Sequence, residues 1–267
     1  MNFFKVKQII SINTHSILLP KLLDKNVLSV LCYHSFSFDQ NRYAVNLETF
    51  KRQISVIKKH SRIISIDEGY SEINNSKIKK PAVVVTVDDG YKDVLMMVDF
   101  MTKNTLPITL FVISDRKNAN RIELDNQLEL LTNTDLKKLA KNPLVTIGSH
   151  SVTHSNFLSI SKKQLIFEIF QSKRSLEELL GVNIKYFAYP KGLFNSSIVK
   201  IVKRAGYIGA FTIEAGCISK NTDKFLIPRT IIEKHHNVSE FPSVYCLPNF
   251  WLRKATNRYN LWGRLLN

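Results

Sequence analysis

One short run of residues limits what this chain can fold into more than any other feature. Residues 82 to 90 read AVVVTVDDG, a continuous β-branched stretch that is stopped by two carboxylates and a glycine. Because its apolar residues are continuous rather than alternating, the run predicts a strand covered on both faces, as in parallel sheets. A helical pattern at 94–104 and a second buried run at 106–114 follow it. Together the three segments predict a βαβ unit.

The same alternation continues through most of the chain. It predicts strands at 27–33, 144–150 and 208–213, strands followed by turns at 62–70 and 186–192, and helices at 47–60, 134–142, 161–181 and 195–207. The long helix has Ser161 as its N-cap and Gly181 as its stop. Such alternation predicts a parallel α/β barrel, in which reactive residues lie where the strands end.

Two adjacent carboxylates, Asp88 and Asp89, close the strand at 82–87. They repel each other unless a cation lies beside them. Adjacent residues of an extended chain point in opposite directions, so we expect different roles for the two. One can bind a metal ion while the other faces a substrate water. The alternative is an exposed turn, where Asp-Asp-Gly is also common.

Histidines close two other predicted strands. His34 follows the strand at 27–33, and His150 follows the strand at 144–150, with His154 four residues further on. If His150 and His154 lie on one helical turn, both imidazoles face the same way and can share one cation. Imidazole suits zinc, cobalt, iron and nickel, and one Asp with two His leaves positions open for water and substrate. The alternative for each is an ordinary core or surface histidine.

The order of these motifs carries a family resemblance. TVDDGY, LPITLFV, SHSVTH and FAYPKG follow one another, and the stretch 27–230 resembles the polysaccharide deacetylases with the NodB-homology domain, carbohydrate esterase family 4. The resemblance implies a distorted (β/α)7 barrel. It also implies one divalent metal ion, usually Zn²⁺ with Co²⁺, Ni²⁺ or Fe²⁺ as alternatives, held by Asp89, His150 and His154. Asp88 then acts as the general base.

The third motif departs from the family's pattern. Where the family has Arg-x-Pro-Tyr, this chain has Ala-Tyr-Pro-Lys at 188–191, so the arginine that usually orients the base is missing there. The resemblance implies that Tyr189, Pro190 and Lys191 bind substrate. It also implies that a backbone N–H near Pro190 stabilises the oxyanion.

Arg229, in LIPRT, is the natural substitute for the missing arginine. Its guanidinium could hold the Asp88 carboxylate from a neighbouring strand, since arginine pairs with carboxylates in a bidentate geometry. The alternative for Arg229 is an ordinary surface salt bridge.

The catalytic acid is the second departure, because the family's late Leu-x-His motif is absent from this sequence. The early motif LCYHSF is similar to a Tyr-His-Ser/Thr segment of the branch that acts on exopolysaccharides rich in N-acetylglucosamine, and this likeness implies the acid role for His34. His235 and His236 lie in a polar stretch and are expected to face solvent, and they are the next candidates. No role is expected for His15 or His60.

The charge balance is strongly positive. The chain has 38 Lys and Arg against 22 Asp and Glu, a formal charge of +16. Such a field attracts polyanions, and the alternative is a diffuse solubilising coat. No recognition motif for nucleic acid appears, so nucleic acid is not expected as a partner. Three widely spaced cysteines form no metal pair or disulfide framework and are expected to be reduced.

The chain divides into an N-terminal segment 1–26, a deacetylase barrel 27–240 and a basic aromatic tail 241–267. On a helix, the tail has one apolar stripe, formed by Leu252, Ala255, Tyr259, Trp262 and Leu266. A stripe with Trp and basic neighbours predicts peripheral contact with an anionic membrane. The alternative is that the tail caps the bottom of the barrel.

The family resemblance, taken with these features, implies a metal-dependent hydrolase that removes N-acetyl groups from amino sugars of a bacterial surface glycan or its lipid-linked precursor. The alternatives are an O-acetyl esterase or N-deformylase that uses the same site, and a glycan-binding protein without activity. Residues 1–26 lack a signal-peptide profile, and no stretch approaches the ~20 apolar residues of a membrane span. We therefore expect a cytoplasmic protein, at the inner face of the membrane if the tail binds lipid.

Overall fold

The computed structural model describes residues 28–36, 42–75, 81–120, 128–214, 216–218, 221–238, 241 and 244. The predicted N-terminal segment 1–26 lies outside these residues, and so does the tail beyond Val244 with its predicted apolar stripe. Within the described ranges, no helix has the length and apolar character that crossing a membrane requires.

A nine-stranded sheet organises the described residues. The strands are β1 (Leu28–Tyr33), β2 (Arg62–Ile63), β3 (Ala82–Val87), β4 (Ile108–Val112), β5 (Val145–Ser149), β6 (Tyr186–Ala188), β7 (Gly209–Phe211), β8 (Cys217–Ile218) and β9 (Thr230–Ile231). The main path runs β7-β6-β5-β4-β3-β1-β8, and β2 pairs with β3. Every pairing is parallel except that of β8 with β1, as the continuous apolar runs predict.

One segment connects the two edges of this sheet. Phe211 at the end of β7 forms a parallel bridge with Ile227, and β9 then pairs in parallel with β1. The N–H of Ile232 extends the second pairing by donating to the carbonyl of Cys32 at 2.8 Å. Seven parallel strands, β1, β3, β4, β5, β6, β7 and β9, form this curl, and β2 is an eighth, two-residue parallel strand that pairs with β3 off the main path. The curled sheet confirms the predicted distorted (β/α)7 barrel.

Helices connect the strands on the outside of the curl. They are α1 (Leu47–His60), α2 (Ile66–Asn74), α3 (Val94–Lys103), α4 (Asn133–Ala140), α5 (Lys162–Leu180) and α6 (Ser196–Arg204). The Asn46 side chain caps α1 by accepting from Glu48 N–H. The predicted signals of the long helix are both used, since α5 begins after Ser161 and ends at Gly181 with a φ of 67°.

Helix α2 corrects one prediction, because the sequence pattern indicates only a turn after β2. The Ser65 hydroxyl accepts from the N–H of Glu68 at 3.2 Å and so starts the helix. The sequence pattern did not indicate this helix because Gly69 lies within it, and glycine has a low helix propensity. A Cβ at Gly69 would lie 2.6 Å from Cδ2 of Leu28. The helix therefore packs so closely on β1 that tertiary contact overrides local preference.

The two faces of β3 belong to two apolar clusters, as its continuous run predicts. Val83, Val85 and Val87 pack among residues of the surrounding helices. Ala82 and Val84 pack in a second cluster built from strand residues inside the curl. This alternation determines which polar residues face inward where the strands end.

Candidate active site

Strand parity brings three polar side chains to the same interior rim. Val84 of β3 and Val30 of β1 face the inside of the curl. Because side chains alternate at every residue, Asp88 and His34 continue these interior rows just past the carboxyl ends of their strands. His150 has the same position after β5, whose apolar residues face the helices. The predicted convergence of these strand ends is therefore present.

The Asp88 carboxylate is held by the guanidinium of Arg229. Nη1 donates to Oδ1 at 2.6 Å and Nη2 donates to Oδ2 at 2.7 Å, which is a bidentate pair. Arg229 is fully buried, and its Nε and Nη1 also donate to the carbonyl of Thr212 and the hydroxyl of Thr86. The predicted contact of Arg229 with Asp88 is present, and the alternative of a surface salt bridge is wrong.

Two aromatic rings cover this ion pair. The central carbon of the Arg229 guanidinium lies 5.3 Å from the ring centroid of Phe111 and 5.7 Å from that of Phe211. Burial by itself raises the pKa of Asp88, but the charge of Arg229, with its hydrogen bonds to the carboxylate, outweighs burial and holds this pKa well below its ordinary value. Asp88 is therefore an oriented carboxylate that stays ionised at neutral pH.

Asp89, His150 and His154 bring three potential metal-ligand atoms together. The Nε2 atoms of both histidines lie 3.5 Å from Oδ1 of Asp89, and the three ligand atoms lie within 4.8 Å of one another. In a tetrahedral zinc site with bonds of about 2.0–2.1 Å, neighbouring ligand atoms are about 3.3–3.4 Å apart. The spacing therefore fits one divalent ion, with a position left over for water or substrate.

Hydrogen bonding and charge also suit this triad to a cation. Nδ1 of His150 lies 2.9 Å from the Ala188 carbonyl, so Nδ1 carries the proton and Nε2 keeps its lone pair. Burial lowers the pKa values of His150 and His154, so both imidazoles are neutral at neutral pH. Burial, followed by the charge of Asp88, raises the pKa of Asp89 to about 8. A divalent cation beside Asp89 reverses this effect and favours its ionised form.

The loop from His150 to His154 corrects the predicted helical turn. Ser151 and His154 have left-handed φ values of 69° and 63°, which cost about 1–3 kcal/mol each for residues other than glycine. The N–H of His154 donates to the Ser151 hydroxyl at 2.9 Å. The two imidazole centroids still lie 4.9 Å apart. The histidines therefore converge through an irregular loop whose strained backbone depends on its surroundings.

His34 lies next to the Asp88 side of the site. A ring nitrogen of His34, a carboxylate oxygen of Asp88 and Sγ of Cys32 lie within 4.8 Å of one another. The His34 ring packs against Tyr43, with centroids 4.9 Å apart. Burial lowers the pKa of His34 to about 4, although Asp88 opposes the shift. His34 is therefore neutral at neutral pH and can act as an acid only after it takes up a proton during turnover.

The turn after β6 places Tyr189 in the core. Its hydroxyl donates to the carbonyl of Phe225 at 3.0 Å, and its N–H donates to the carbonyl of Phe211 at 3.1 Å. The side chain is fully buried. This corrects the predicted substrate-binding role of the Tyr189 side chain, which the fold already uses.

Pro190 and Lys191 continue this turn. Pro190 is buried, and Lys191 has a left-handed φ of 58°. Burial, the charge of His150 and the charge of Lys191 all lower the pKa of His154, which places the Lys191 side of the turn near the triad. A side chain at Gly192 would overlap Ile213, so the tight turn requires glycine.

The two late histidines have structural contacts. His235 is half exposed and pairs with Glu233 at 3.1 Å. His236 is buried, and its Nδ1 accepts from the N–H of Glu233 at 2.8 Å while its carbonyl accepts from Gln53. The expectation that both face solvent is therefore wrong for His236, which belongs to a buried hydrogen-bond network.

Several residues of the site had no role predicted from the sequence, although Thr86, Tyr91 and Phe111 lie within the motifs TVDDGY and LPITLFV. Thr86, Thr212, Phe111 and Phe211 surround Arg229, and the Tyr91 hydroxyl is hydrogen-bonded to Asp89. Glu168, on α5, contacts the loop that carries His154. In the sequence, Glu168 is recognisable as a charged residue on the buried face of its helix. That face also includes Leu165, Ile169, Ser172 and Leu176.

Comparison with known proteins gives a family and named relatives. A family model described as polysaccharide deacetylase matches residues 75–210, just over half of the chain. The chain is 22% identical over 241 residues to the poly-beta-1,6-N-acetyl-D-glucosamine N-deacetylase of Staphylococcus aureus, covering 86% of this chain and 80% of that protein. It is 24% identical over 210 residues to the Staphylococcus epidermidis enzyme of the same name, covering 74% and 71%.

Solved structures with the same fold include two deacetylases. The deacetylase PplD of Streptococcus pyogenes, solved in complex with acetate, has a TM-score of 0.71 and 21% identity over 82% of this chain and 98% of that one. IcaB from Ammonifex degensii has a TM-score of 0.71 and 22% identity over 83% and 97%. At these identities the likeness shows that the fold is shared.

Proposed function

Because this chain belongs to the polysaccharide deacetylase family, we propose that it hydrolyses the N-acetyl groups of amino sugars in a bacterial surface glycan. The observation that carries this proposal is that an oriented carboxylate, Asp88, lies beside a triad of potential metal ligands. The triad consists of the carboxyl group of Asp89 and the neutral imidazoles of His150 and His154. The staphylococcal relatives are named for N-deacetylation of poly-β-1,6-N-acetylglucosamine, which supports a polymer of N-acetylglucosamine as the substrate class.

We propose that Asp89, His150 and His154 hold one divalent ion, with Zn²⁺ first and Co²⁺, Ni²⁺ or Fe²⁺ as alternatives. Nitrogen and carboxylate ligands at tetrahedral spacing support this assignment. When bound, such an ion polarises the amide carbonyl and lowers the pKa of a water molecule beside it. Tyr91 and the Ala188 carbonyl orient the Asp89 and His150 side chains.

Asp88 is the proposed general base. It takes a proton from the water as the water oxygen attacks the amide carbon, which is the role of an ionised carboxylate within hydrogen-bond reach. Arg229 keeps both carboxylate oxygens oriented and lowers the pKa of Asp88, so the base is ionised before substrate arrives. Arg229 is thus a positioning residue for the base.

Lys191 and His34 complete the proposed reaction. The backbone N–H of Lys191, next to Pro190, is the proposed donor to the oxyanion that develops on the amide carbonyl. His34 is the proposed acid: it receives the proton taken by Asp88 and passes it to the leaving nitrogen as the C–N bond breaks. A ring nitrogen of His34 and a carboxylate oxygen of Asp88 lie within 4.8 Å of each other, which supports this relay. The products are acetate and a free amine.

The test measures release of acetate, or of formate from the formyl substrate, by the full chain after metal removal and after Zn²⁺ or Co²⁺ is restored. The substrates are oligomers of β-1,6-N-acetylglucosamine, a lipid-linked N-acetyl amino sugar, an O-acetylated glycan and an N-formyl amino sugar. We expect metal-dependent acetate release from the N-acetyl substrates, and equal activity in a Glu178→Gln control, because Glu178 is exposed on α5 and pairs only with Arg174 among the described residues. Release from the ester or formyl substrate alone would assign a different reaction to the site, and glycan binding without turnover would make the chain a binding protein.

A further inference from the structure

Glu168 makes more contacts with the His154 loop than any other side chain for which the structure gives hydrogen bonds. It projects from α5 and is 2% exposed. Its Oε2 accepts from the N–H groups of Val152 and Thr153, both at 2.9 Å. Its Oε1 accepts from the hydroxyl of Thr153 at 2.6 Å and, at 3.4 Å, from that of Ser155. A single buried carboxylate therefore accepts hydrogen bonds from four donors of this short loop.

Backbone hydrogen bonds to the segment 114–120 also hold this loop. The carbonyls of Ser151, Val152 and Thr153 accept from N–H groups of the segment 114–120, at distances of 3.1, 2.9 and 2.8 Å. The carbonyls of the loop therefore bind the segment 114–120, and the N–H groups of Val152 and Thr153 bind Glu168. This matters because Ser151 and His154 have left-handed φ values, which persist only where the surroundings determine them.

We propose that Glu168 is a positioning residue that sets the metal affinity of the site by holding His154 in its ligating conformation. The inference rests on the proposed metal site formed by Asp89, His150 and His154. Among the described residues, Nδ1 of His154 has no hydrogen-bond partner, whereas Nδ1 of His150 is oriented by the Ala188 carbonyl. The orientation of His154 therefore depends on its backbone, and Glu168 fixes that backbone through charge-assisted hydrogen bonds.

The experiment compares Glu168→Gln with the wild-type full chain. Glutamine keeps one oxygen for the two N–H donors but removes the charge and turns an NH₂ group toward the Thr153 hydroxyl, so the fold should persist while the loop loosens. We expect Co²⁺ affinity, measured by competition with a chromophoric chelator, to fall about 10–100-fold, as for other groups that orient metal ligands. The visible spectrum of bound Co²⁺ should also change, because the His154 ligand is less well fixed.

Two further variants separate this role from a general loss of stability. Glu178→Gln removes an exposed carboxylate of the same helix and should leave both Co²⁺ affinity and spectrum unchanged. Thr153→Val removes one of the Glu168 contacts from the loop side, and its effect on Co²⁺ affinity should be less than additive with that of Glu168→Gln.

If Glu168→Gln lowers the unfolding temperature of the metal-free protein but binds Co²⁺ as tightly as wild type, Glu168 is only structural and the inference is overturned. If wild type itself binds no divalent ion, the proposed metal site fails first, and this inference fails with it. The two failures are distinguished by the wild-type titration alone.

Discussion

Asp88 and Asp89 are neighbours in the chain and are both almost fully buried, yet their environments are opposite. Asp88 has an internal cation, because Arg229 binds both of its oxygens and holds its pKa down. Asp89 faces two histidines that burial keeps neutral, and its own pKa is raised to about 8. Arg229 therefore balances the charge of Asp88, whereas the neutral histidines beside Asp89 leave room for the cation that we propose there.

This contrast supports the two roles proposed for the adjacent carboxylates. The left-handed φ of 70° at Asp89 departs from the predicted extended backbone, and both carboxylates approach Nε2 of His150, at 3.9 Å from Asp88 and 3.5 Å from Asp89. The arginine that binds Asp88 supports its proposed role as an ionised base, and the neutral imidazoles beside Asp89 support its proposed role as a metal ligand. The following substitutions test each side separately.

The largest effect is expected on the histidine side. His150→Ala removes one ligand and leaves Asp89 and His154 too few to retain the ion, so activity should fall below that of any variant described next. Elemental analysis of the purified variant should show loss of the metal that wild type retains. Metal content equal to wild type, with activity intact, would remove His150 from the proposed ligands.

Asp88→Asn tests the Arg229 side. It removes the base and leaves the three ligands in place, so the metal should be retained while the turnover number falls about 10²–10⁴-fold, the usual contribution of general acid–base catalysis. Turnover is measured by acetate release, and metal content is measured on the same sample. A variant with near-normal turnover would show that Asp88 is not the base.

His34→Ala should reduce turnover by about 10²-fold, near the lower end of general acid–base effects. Because His34 has a pKa of about 4, it is neutral at neutral pH and takes its proton from Asp88 within each turnover. Its removal should therefore lower turnover by a similar factor at every pH at which Asp88 is ionised. His60→Ala is the matched control, since His60 is exposed at the end of α1. Turnover of His34→Ala equal to that of the control would transfer the acid role to another residue, with His235 next.

Arg229→Lys should move the acidic limb of the profile upward. Lysine keeps the charge but loses the bidentate geometry, so burial raises the pKa of Asp88 with less opposition. Because the base works only when ionised, a higher pKa means that activity is lost at a higher pH as the solution is acidified. We expect a shift of about one pH unit, which corresponds to about 1.4 kcal/mol. An acidic limb unmoved in Arg229→Lys, and equal to that of the exposed control Arg174→Lys, would contradict this.

The smallest expected effect is the release of a proton from Asp89 when the metal binds. The pKa of Asp89 is raised to about 8 without a cation, so Asp89 is mostly protonated at pH 7 and should release about one proton when the metal binds. The release should decrease as the pH rises above 8, where the carboxyl is already ionised. Calorimetric titration in buffers of different ionisation enthalpy measures it. Asp89→Asn, which has no such proton, should show no release in any binding that remains.

Local patterns in the sequence account for most of the barrel. The continuous apolar run at 82–87 predicted a strand buried on both faces, and the caps Ser161 and Gly181 predicted the limits of α5. These features follow from two local periodicities, which are two residues in a strand and 3.6 residues per turn in a helix. Both depend only on residues that are close together in the sequence.

Contacts between distant residues decided the rest. Arg229 reaches Asp88 across 141 positions of the chain, and the sequence offered it only as one of two alternatives. His154 meets Asp89 through a left-handed loop instead of a helical turn, because Glu168 and the segment 114–120 hold that loop from both sides. The sequence by itself determined which residues stand at the strand ends. Only the tertiary structure decided how they converge, because long-range hydrogen bonds can stabilise backbone conformations that local preferences disfavour.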